Sequence, residues 1–291
     1  MAKSDLAARL AVAVVGIPLV VAIIYTGGWI LGAVIAAIAA LAANEFNGMA
    51  GATGGRPFNR LGVTAAALLV LLATWGRTLE AFALPALAVV LLVTLVCFSL
   101  AVWRRWPDGH PASAVSATVT GMIYAGGTLA FLILLRYLPA ADGVAPTAAA
   151  GTALATLPMG ATWIGDSCAY FAGRAWGKRK LIPQVSPGKT VVGGIAGLVG
   201  TVVAASLWVA VFLGPDTVPG LGLVTVAVIG LPMGAAAQVG DLAASVLKRE
   251  AGVKDSGRLL PGHGGAIDRF DALFFTIPLF YVLVRAVGLL A

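Results

Sequence analysis

The sequence predicts an all-α integral membrane protein, a polytopic bundle of about nine transmembrane helices with its N-terminus in the cytoplasm. Hydrophobic residues make up 60% of the 291 residues, and the mean hydropathy is +0.98. Apolar stretches of roughly 17 to 27 residues recur along the chain, and each is long enough to cross the hydrocarbon core as a helix that satisfies its own backbone hydrogen bonds. This composition excludes a soluble domain.

The predicted spans are joined by short connectors. They cover residues 9–26, 28–44, 61–76, 81–102, 114–135, 148–170, 191–213, 221–247 and 270–289. The first span resembles the core of a signal peptide, but no small-residue cleavage site follows and the second span begins at once, so we interpret it as a retained helix. We divide the chain into N-terminal membrane helices (residues 1–135, about five spans) and catalytic membrane helices (136–291, about four spans), with cytoplasmic loops 171–190 and 248–269.

The basic residues predict the orientation. With the N-terminus inside and nine spans, all 19 lysines and arginines except Arg77, Arg136 and Arg285 lie at the cytoplasmic side, as the positive-inside rule requires. The net charge of +7 therefore indicates membrane edges that attract anionic lipid, and not a nucleic-acid partner. Cys97 and Cys168 both fall in predicted helices, so neither a disulfide framework nor a zinc site is expected.

Charge is concentrated between the last two spans. The stretch from Asp241 to Asp271 holds five basic and five acidic residues, and it contains the sequence Gly262-His263-Gly264-Gly265. A solvated loop would explain the charge, but glycines beside carboxylates indicate backbone that approaches an anion, with a metal nearby. His263 is either a general base, or an imidazole that has a structural role or contacts phosphate.

Acidic residues from three predicted helices are expected to meet near the cytoplasmic face. Asp241 belongs to a polar stripe on the eighth span, Gln238, Asp241, Ser245 and Lys248 or Arg249, whose members are three or four residues apart. Asp268 and Asp271 share a face at the start of the ninth span. Asp166 lies eight residues before Arg174 in the sixth span, about 12 Å from the membrane edge. Such oxygen ligands suit magnesium, which prefers one or two carboxylates plus substrate phosphates.

Each acid also has a structural interpretation. Asp166 could form an ion pair that holds two helices together, and Asp268 and Asp271 could cap a helix N-terminus. Capping explains neither the proximity of Asp241 nor its place in the polar stripe.

A second phosphate-binding segment is predicted at Ser186-Pro187-Gly188-Lys189-Thr190, which we expect to open the seventh span. A Ser-Pro cap, a helix N-terminus and a lysine together attract phosphate. It is not a P-loop, because Pro183 stands where that motif needs glycine and no strand precedes it. The neighbouring Lys178, Arg179 and Lys180 are explained equally well by the positive-inside rule alone.

These residues resemble the phosphatidate cytidylyltransferase family, also called CDP-diglyceride synthetase. The resemblance spans 27 residues with the family's spacing, and is carried by Ser245, Lys248-Arg249, Lys254-Asp255, Gly257, Pro261, His263-Gly264-Gly265, Asp268-Arg269 and Asp271. Two earlier motifs are similar as well, Asp166 to Tyr170 and Ser186 to Thr190. Gly188, Val192 and Ala244 depart from the family, which usually has lysine, glutamate and glutamate there.

The resemblance implies transfer of CMP from CTP to phosphatidic acid, giving CDP-diacylglycerol and pyrophosphate. It implies magnesium at Asp241, Asp268, Asp271 and Asp166, with Lys248 as a further catalytic residue; a second, monovalent cation stays open. The implied substrate contacts are Ser186, Lys189, Thr190, Ser245, Arg249, Lys254, His263, Gly264, Gly265 and Arg269.

The implied partners are CTP, phosphatidic acid from the inner leaflet, surrounding membrane lipids and a second copy of the chain in a homodimer. The implied location is the inner (cytoplasmic) membrane, with the site facing the cytoplasm. Two alternatives are the same transfer to an ether-lipid phosphate, as in CDP-archaeol synthesis, and an ion-coupled anion transporter. Transport is disfavoured because the acids crowd the cytoplasmic end, whereas transporter sites lie near the midplane.

Overall fold

The computed structural model describes residues 3–106, 108–138, 146–213, 221–257 and 264–288. The helices within these ranges are α1 (Lys3–Thr26), α2 (Gly28–Ala52), α3 (Asn59–Gly76), α4 (Leu79–Arg104), α5 (Pro111–Met122), α6 (Thr128–Arg136), α7 (Ala148–Trp176), α8 (Val191–Phe212), α9 (Leu223–Glu250), α10 (Ile267–Phe270) and α11 (Leu273–Gly288). A π-helical turn, Ile123–Gly127, joins α5 to α6.

The membrane class of the fold is confirmed. A helix covers the core of every predicted span, with α5, the π-helical turn and α6 together covering the fifth. Among the described residues, six helical segments are long and apolar enough to cross a membrane: Gly28–Ala52, Asn59–Gly76, Leu79–Arg104, Pro111–Arg136, Val191–Phe212 and Leu223–Glu250. The apolar parts of α1 and α11, Val14–Thr26 and Leu273–Gly288, are shorter. The count of nine spans and the orientation stay predictions.

One small sheet interrupts the helices. Strands β1 (Lys180–Ile182) and β2 (Ser186–Thr190) form an antiparallel hairpin in which Lys180 pairs with Thr190. The expectation that Ser186 caps a helix here was wrong, because Ser186 lies in the strand. The cap of α8 is Thr190, whose hydroxyl accepts a hydrogen bond from the Gly193 amide at 3.1 Å, as a threonine at this position commonly does.

Close packing of α7, α8 and α9 follows from small residues on their facing surfaces. A Cβ atom added to Gly193 would lie 2.7 Å from the Ala169 carbonyl oxygen, and one added to Gly200 would lie 2.7 Å from the Cys168 sulfur. Only glycine allows such an approach of two helix backbones. Gln238 on α9 donates to the Gly194 carbonyl of α8 at 2.9 Å. The three helices are therefore held together near the ends that adjoin the predicted cytoplasmic loops, by close packing of α7 on α8 and by this hydrogen bond between α8 and α9.

The remaining helices are joined at both ends of the bundle. At one end, Arg136 donates through Nε to the Ile24 carbonyl at 2.8 Å, and the Tyr137 hydroxyl accepts from the Gly28 amide. At the other end, Arg105 donates to the Arg56 carbonyl at 2.9 Å. Between them, the Tyr124 ring of the π-helical turn packs against Phe274 of α11 with centroids 4.6 Å apart. The N-terminal helices are therefore packed directly on the helix that follows the acidic residues.

Candidate active site

Two lysine–carboxylate pairs define the centre of the site. Lys189 Nζ of β2 lies 2.7 Å from Asp241 Oδ2, and Lys248 Nζ lies 2.6 Å from Asp268 Oδ1. Asp241 and Lys248 belong to the same helix, α9, two turns apart. The residues of the predicted polar stripe lie on α9, where Asp241 pairs with the hairpin and Lys248 pairs with α10. Neither pairing was predicted.

Two further acids lie near Asp241. The negative charges of Asp166 on α7 and of Asp271, between α10 and α11, both interact with that of Asp241. Asp268 and Asp271 were expected on one face of a single helix. The structure instead ends α10 at Phe270 and begins α11 at Leu273, so Asp268 lies in α10 and Asp271 lies in the junction between the two helices. Lys248 interacts electrostatically with both carboxylates.

Asp268 is the most heavily hydrogen-bonded of these acids. Its Oδ2 atom accepts from the Ser256 amide at 2.8 Å, the Gly265 amide at 2.9 Å and the Ser256 hydroxyl at 3.0 Å. Burial alone would raise the pKa of Asp268, but the bonds from Lys248, Gly265 and Ser256 favour the charged form and hold its pKa below the usual range. Asp268 is therefore a fixed anion at neutral pH.

The glycines of the last loop pack against protein carboxylates. A Cβ atom added to Gly264, whose φ is +76°, would lie 2.6 Å from Asp268 Oδ2. One added to Gly257 would lie 2.5 Å from Glu45 Oε1, and Gly265 leaves no more room beside Glu45. The sequence indicated that these glycines approach an anion, and the described anions are Asp268 and Glu45.

Glu45, on α2, is a site residue that the sequence analysis did not name. Its Oε1 atom accepts from the Ala266 amide at 2.8 Å, and Oε2 accepts from the Ile267 amide at 2.9 Å and the Ser256 hydroxyl at 2.7 Å. A signal was present, because an acid at the inner end of a predicted span needs a partner. The partners are backbone groups 221 and 222 residues away in the chain, which no local pattern reveals.

A cavity of about 400 Å³ opens beside these acids. One part of its wall is apolar and comes from α1, α2, α6 and α7, including Val20, Ile24, Leu31, Ile35 and Leu132. The other part is formed by Asp166, Asp268, Arg269 and Asp271. The cavity therefore suits an amphipathic ligand with an apolar body and a charged head.

The other predicted contacts are distributed around this centre. Ser245 Oγ lies 3.4 Å from Asp241 Oδ1, Ser186 belongs to β2, and Thr190 caps α8. Arg249 and Lys254 are exposed just beyond Lys248, and Arg269 lines the cavity. His263 lies outside the described residues, as does Arg258.

The side chains that could bind a metal ion at this site are carboxylates. Within the part of the chain that the structure describes, no group of three or more His, Cys, Asp or Glu residues is arranged to hold one. Asp166 and Asp271 nevertheless each interact electrostatically with Asp241, and a bound cation would relieve the repulsion among these carboxylates. These donors fit magnesium that takes its remaining ligands from substrate phosphates and water.

Comparisons with known proteins show the family of this chain. The model of the cytidylyltransferase family matches residues 7–287. The chain is 32% identical to the phosphatidate cytidylyltransferase of Synechocystis sp. over 95% of each chain, and 33% identical to that of Pseudomonas aeruginosa over 87% of each. It is 46% identical to the Bacillus subtilis phosphatidate cytidylyltransferase over 122 residues, which are 42% of this chain and 44% of the other. The chain belongs to the cytidylyltransferase family.

Proposed function

We propose that this protein is a phosphatidate cytidylyltransferase, which transfers CMP from CTP to phosphatidic acid and releases pyrophosphate. The observation that carries the proposal is the cavity in which apolar walls meet Asp166, Asp268, Arg269 and Asp271. A lipid phosphate is a ligand of this shape and polarity. The relatives named above carry the same activity in their names.

The proposed reaction needs no covalent enzyme intermediate. An oxygen of the lipid phosphate attacks the α-phosphorus of CTP, a new P–O bond forms, and the bond to pyrophosphate breaks. The protein must hold two highly charged phosphate groups in line and offset their repulsion. Lys189 and Lys248 each form an ion pair with an acid of this centre, and we assign both to the phosphates.

The acids would hold magnesium. We assign Asp241, Asp268, Asp271 and Asp166 to this role, with Asp241 foremost because its side chain is 37% exposed whereas that of Asp268 is 10% exposed. When bound, magnesium would neutralise charge on the phosphates. Lys189 and Lys248 would exchange a carboxylate partner for phosphate oxygen as the substrates enter.

The lipid enters sideways in this proposal. Its phosphate lies by Arg269 and Asp271, and an acyl chain runs along the apolar wall that includes Ile24 and Ile35. CTP arrives from the cytoplasm, where Arg249 and Lys254 are exposed. The exposed arginine and lysine would attract its phosphates.

We also propose nine spans, a cytoplasmic N-terminus, a homodimer and a location in the inner (cytoplasmic) membrane with the site facing the cytoplasm. The positive-inside distribution supports the orientation. The grouping of connectors at two ends of the bundle supports the number of spans. Arg136 and Tyr137 meet the junction of α1 and α2, whereas Ser256, Ala266 and Ile267 meet Glu45 near the other end of α2.

The test is incorporation of radiolabelled CMP from CTP into phosphatidic acid by the purified protein in detergent, with magnesium present. Wild type should form CDP-diacylglycerol, and Asp241→Asn should lose about 10- to 100-fold or more of that activity. Asp108→Asn, which changes an exposed loop acid, serves as the matched control. An ether-linked phosphatidate is assayed alongside, because the apolar wall recognises chains and not their linkage.

The outcomes separate the parts of the proposal. If folded wild type labels neither lipid, the proposed function is wrong. If it labels only the ether lipid, the substrate assignment is wrong and the reaction stands. Full activity of Asp241→Asn would remove that residue from the metal site.

A further inference from the structure

We propose that Glu45 is a positioning residue, which fixes the loop carrying Asp268 and so makes the N-terminal helices part of the catalytic machinery. The inference rests on the proposed function for its catalytic consequence. Its geometric part, that Glu45 holds the loop, stands on contacts of the described residues alone.

Glu45 accepts several hydrogen bonds from the loop that carries Asp268. Both of its oxygens are used, Oε1 by the Ala266 amide and Oε2 by the Ile267 amide and the Ser256 hydroxyl. Ala266 and Ile267 immediately precede Asp268. A carboxylate that accepts two consecutive backbone amides fixes the orientation of that peptide segment, and hence the direction in which the next side chain leaves it.

The side chain of Ser256 lies between the carboxylates of Glu45 and Asp268. The Ser256 hydroxyl lies 2.7 Å from Glu45 Oε2 and 3.0 Å from Asp268 Oδ2, yet it has one proton to donate. The shorter contact assigns this proton mainly to Glu45. The Ser256 amide then serves Asp268 at 2.8 Å. One residue thus ties the two carboxylates together, and neither can move without affecting the other.

The Glu45 carboxylate is closely packed against the backbone of two glycines. Gly257 and Gly265 both touch the Glu45 carboxylate so closely that a Cβ atom at either position would collide with it. Two separate positions of the chain therefore pack against this carboxylate. A displaced Glu45 side chain would therefore displace the loop, because close-packed groups transmit small movements.

Glu45 lies outside the cavity that we assign to the lipid substrate. Glu45 is absent from the wall of the 400 Å³ cavity, whereas Asp268 lines it. Glu45 instead borders a separate cleft with Asn44, Ser256 and Gly257. With both of its oxygens already accepting hydrogen bonds, Glu45 acts on the reaction through Asp268.

The test compares Glu45→Gln, Glu45→Asp and Ser256→Ala with the control Glu250→Gln, which alters an exposed glutamate at the end of α9. Glutamine turns one acceptor oxygen into an NH₂ group, so one backbone amide would face a donor. Aspartate keeps both acceptors on a shorter stem. We measure kcat and KM for both substrates, the magnesium dependence of activity, and amide hydrogen exchange in residues 264–270.

We expect Glu45→Gln to lower kcat by about 10- to 100-fold, as displaced supporting groups commonly do, while each KM changes by less than about threefold. The magnesium concentration for half-maximal activity should rise, and hydrogen exchange should rise in residues 264–270 but not in α3 or α8. Glu45→Asp should retain more activity than Glu45→Gln. Ser256→Ala should fall between wild type and Glu45→Gln, and Glu250→Gln should match wild type.

Two results would overturn the inference: wild-type kcat in Glu45→Gln, or a fall in kcat with unchanged exchange in residues 264–270. A general rise in exchange with unchanged kcat per folded molecule would mean that Glu45 only stabilises the bundle. If wild type labels no lipid, the proposed function fails, and the exchange measurement alone still decides whether Glu45 holds the loop.

Discussion

At the residue scale, the acidic residues of the site have different tasks. Asp268 accepts a hydrogen bond from Lys248 on one oxygen and from the Ser256 and Gly265 amides on the other, and its geometry is fixed by the protein. Asp241 has Lys189 and a long contact to Ser245, and is more exposed. A more exposed carboxylate with spare lone pairs can take a new ligand more readily than one whose lone pairs already accept hydrogen bonds from the protein.

We predict that Lys248→Met lowers the free energy of unfolding by about 1–3 kcal/mol at neutral pH, the cost of losing one charged donor to a buried acid. Breaking a fully buried ion pair costs about 3–5 kcal/mol, but here the Ser256 and Gly265 amides still donate to Asp268. The measurement is denaturant or thermal unfolding in detergent. Lys178→Met, at an exposed lysine, is the control.

The pH dependence of this effect has a definite sign. The pKa of Asp268 is lowered by folding, so its contribution is fully present above its unfolded pKa of about 3.9 and is lost as the pH falls through the lower folded value. Without Lys248, the folded pKa rises and the contribution is lost at higher pH. The difference between variant and wild type should therefore shrink below about pH 4; a difference that grows in acid would contradict the assignment.

At the element scale, the sequence was most informative where a pattern is local. Spacings of three and four residues placed Asp241, Ser245 and Lys248 on one face of α9, and the structure has them there. The β1–β2 hairpin was not predicted, because its register joins Lys180 to Thr190 across a turn, and Ser-Pro before a threonine also resembles a helix cap. Lys189 still reaches the acidic centre, since the hairpin leads directly into α8.

The hairpin also accounts for a departure from the family pattern. Gly188 lies in β2, and a Cβ atom added there would meet nothing within 4 Å. The site therefore has space for the lysine that the family usually carries next to Lys189. We predict that Gly188→Lys leaves the unfolding temperature unchanged and lowers the KM for CTP by about two- to fivefold, the effect of an exposed charge interaction of roughly 0.2–1 kcal/mol.

The measurement is a CTP titration at two salt concentrations. The gain should fall at high salt, because exposed charges are screened. Gly188→Ala tests the backbone change without the charge and should leave the KM unchanged. An equal gain in both variants would mean that backbone stiffness, and not phosphate attraction, is responsible.

At the scale of the whole molecule, the site draws on both halves of the chain. The predicted division at residue 135 placed every motif in the second half. The first half nevertheless supplies Glu45 and the apolar wall from Val20 to Ile38. The apolar wall could not be predicted from the sequence, because apolar residues of a spanning helix carry no sign of whether they face lipid, a neighbouring helix or a cavity. The need of Glu45 for a partner was visible, but its backbone partners lie 221 and 222 residues away.

The packing also relates the two ends of the bundle to the orientation. Arg77 lies over the Tyr137 ring with its Cζ 4.8 Å from the centroid, and Arg285 pairs with Glu80 at 2.8 Å. These contacts join the α3–α4 connector to the α6–α7 connector and to the end of α11, all of which the positive-inside rule places outside. Arg105 lies 4.5 Å over the Phe58 ring and joins two connectors that the rule places inside. The same set of spans therefore satisfies both the charge distribution and the contacts.

This topology predicts which exposed positions react from each side of the membrane. In a variant with Cys97 and Cys168 replaced by alanine, single cysteines at Thr53 or Asp108 should react with an impermeant maleimide in inside-out vesicles and not in spheroplasts. A cysteine at Glu80 should behave in the opposite way, because one helix, α4, separates it from Asp108. Labelling after detergent treatment shows that each cysteine can react.

If Asp108 and Glu80 were labelled from the same side, α4 would not cross the membrane. If all three patterns were inverted, the N-terminus would lie outside, and Glu45, Lys189 and Lys248 could not serve a site that takes CTP from the cytoplasm.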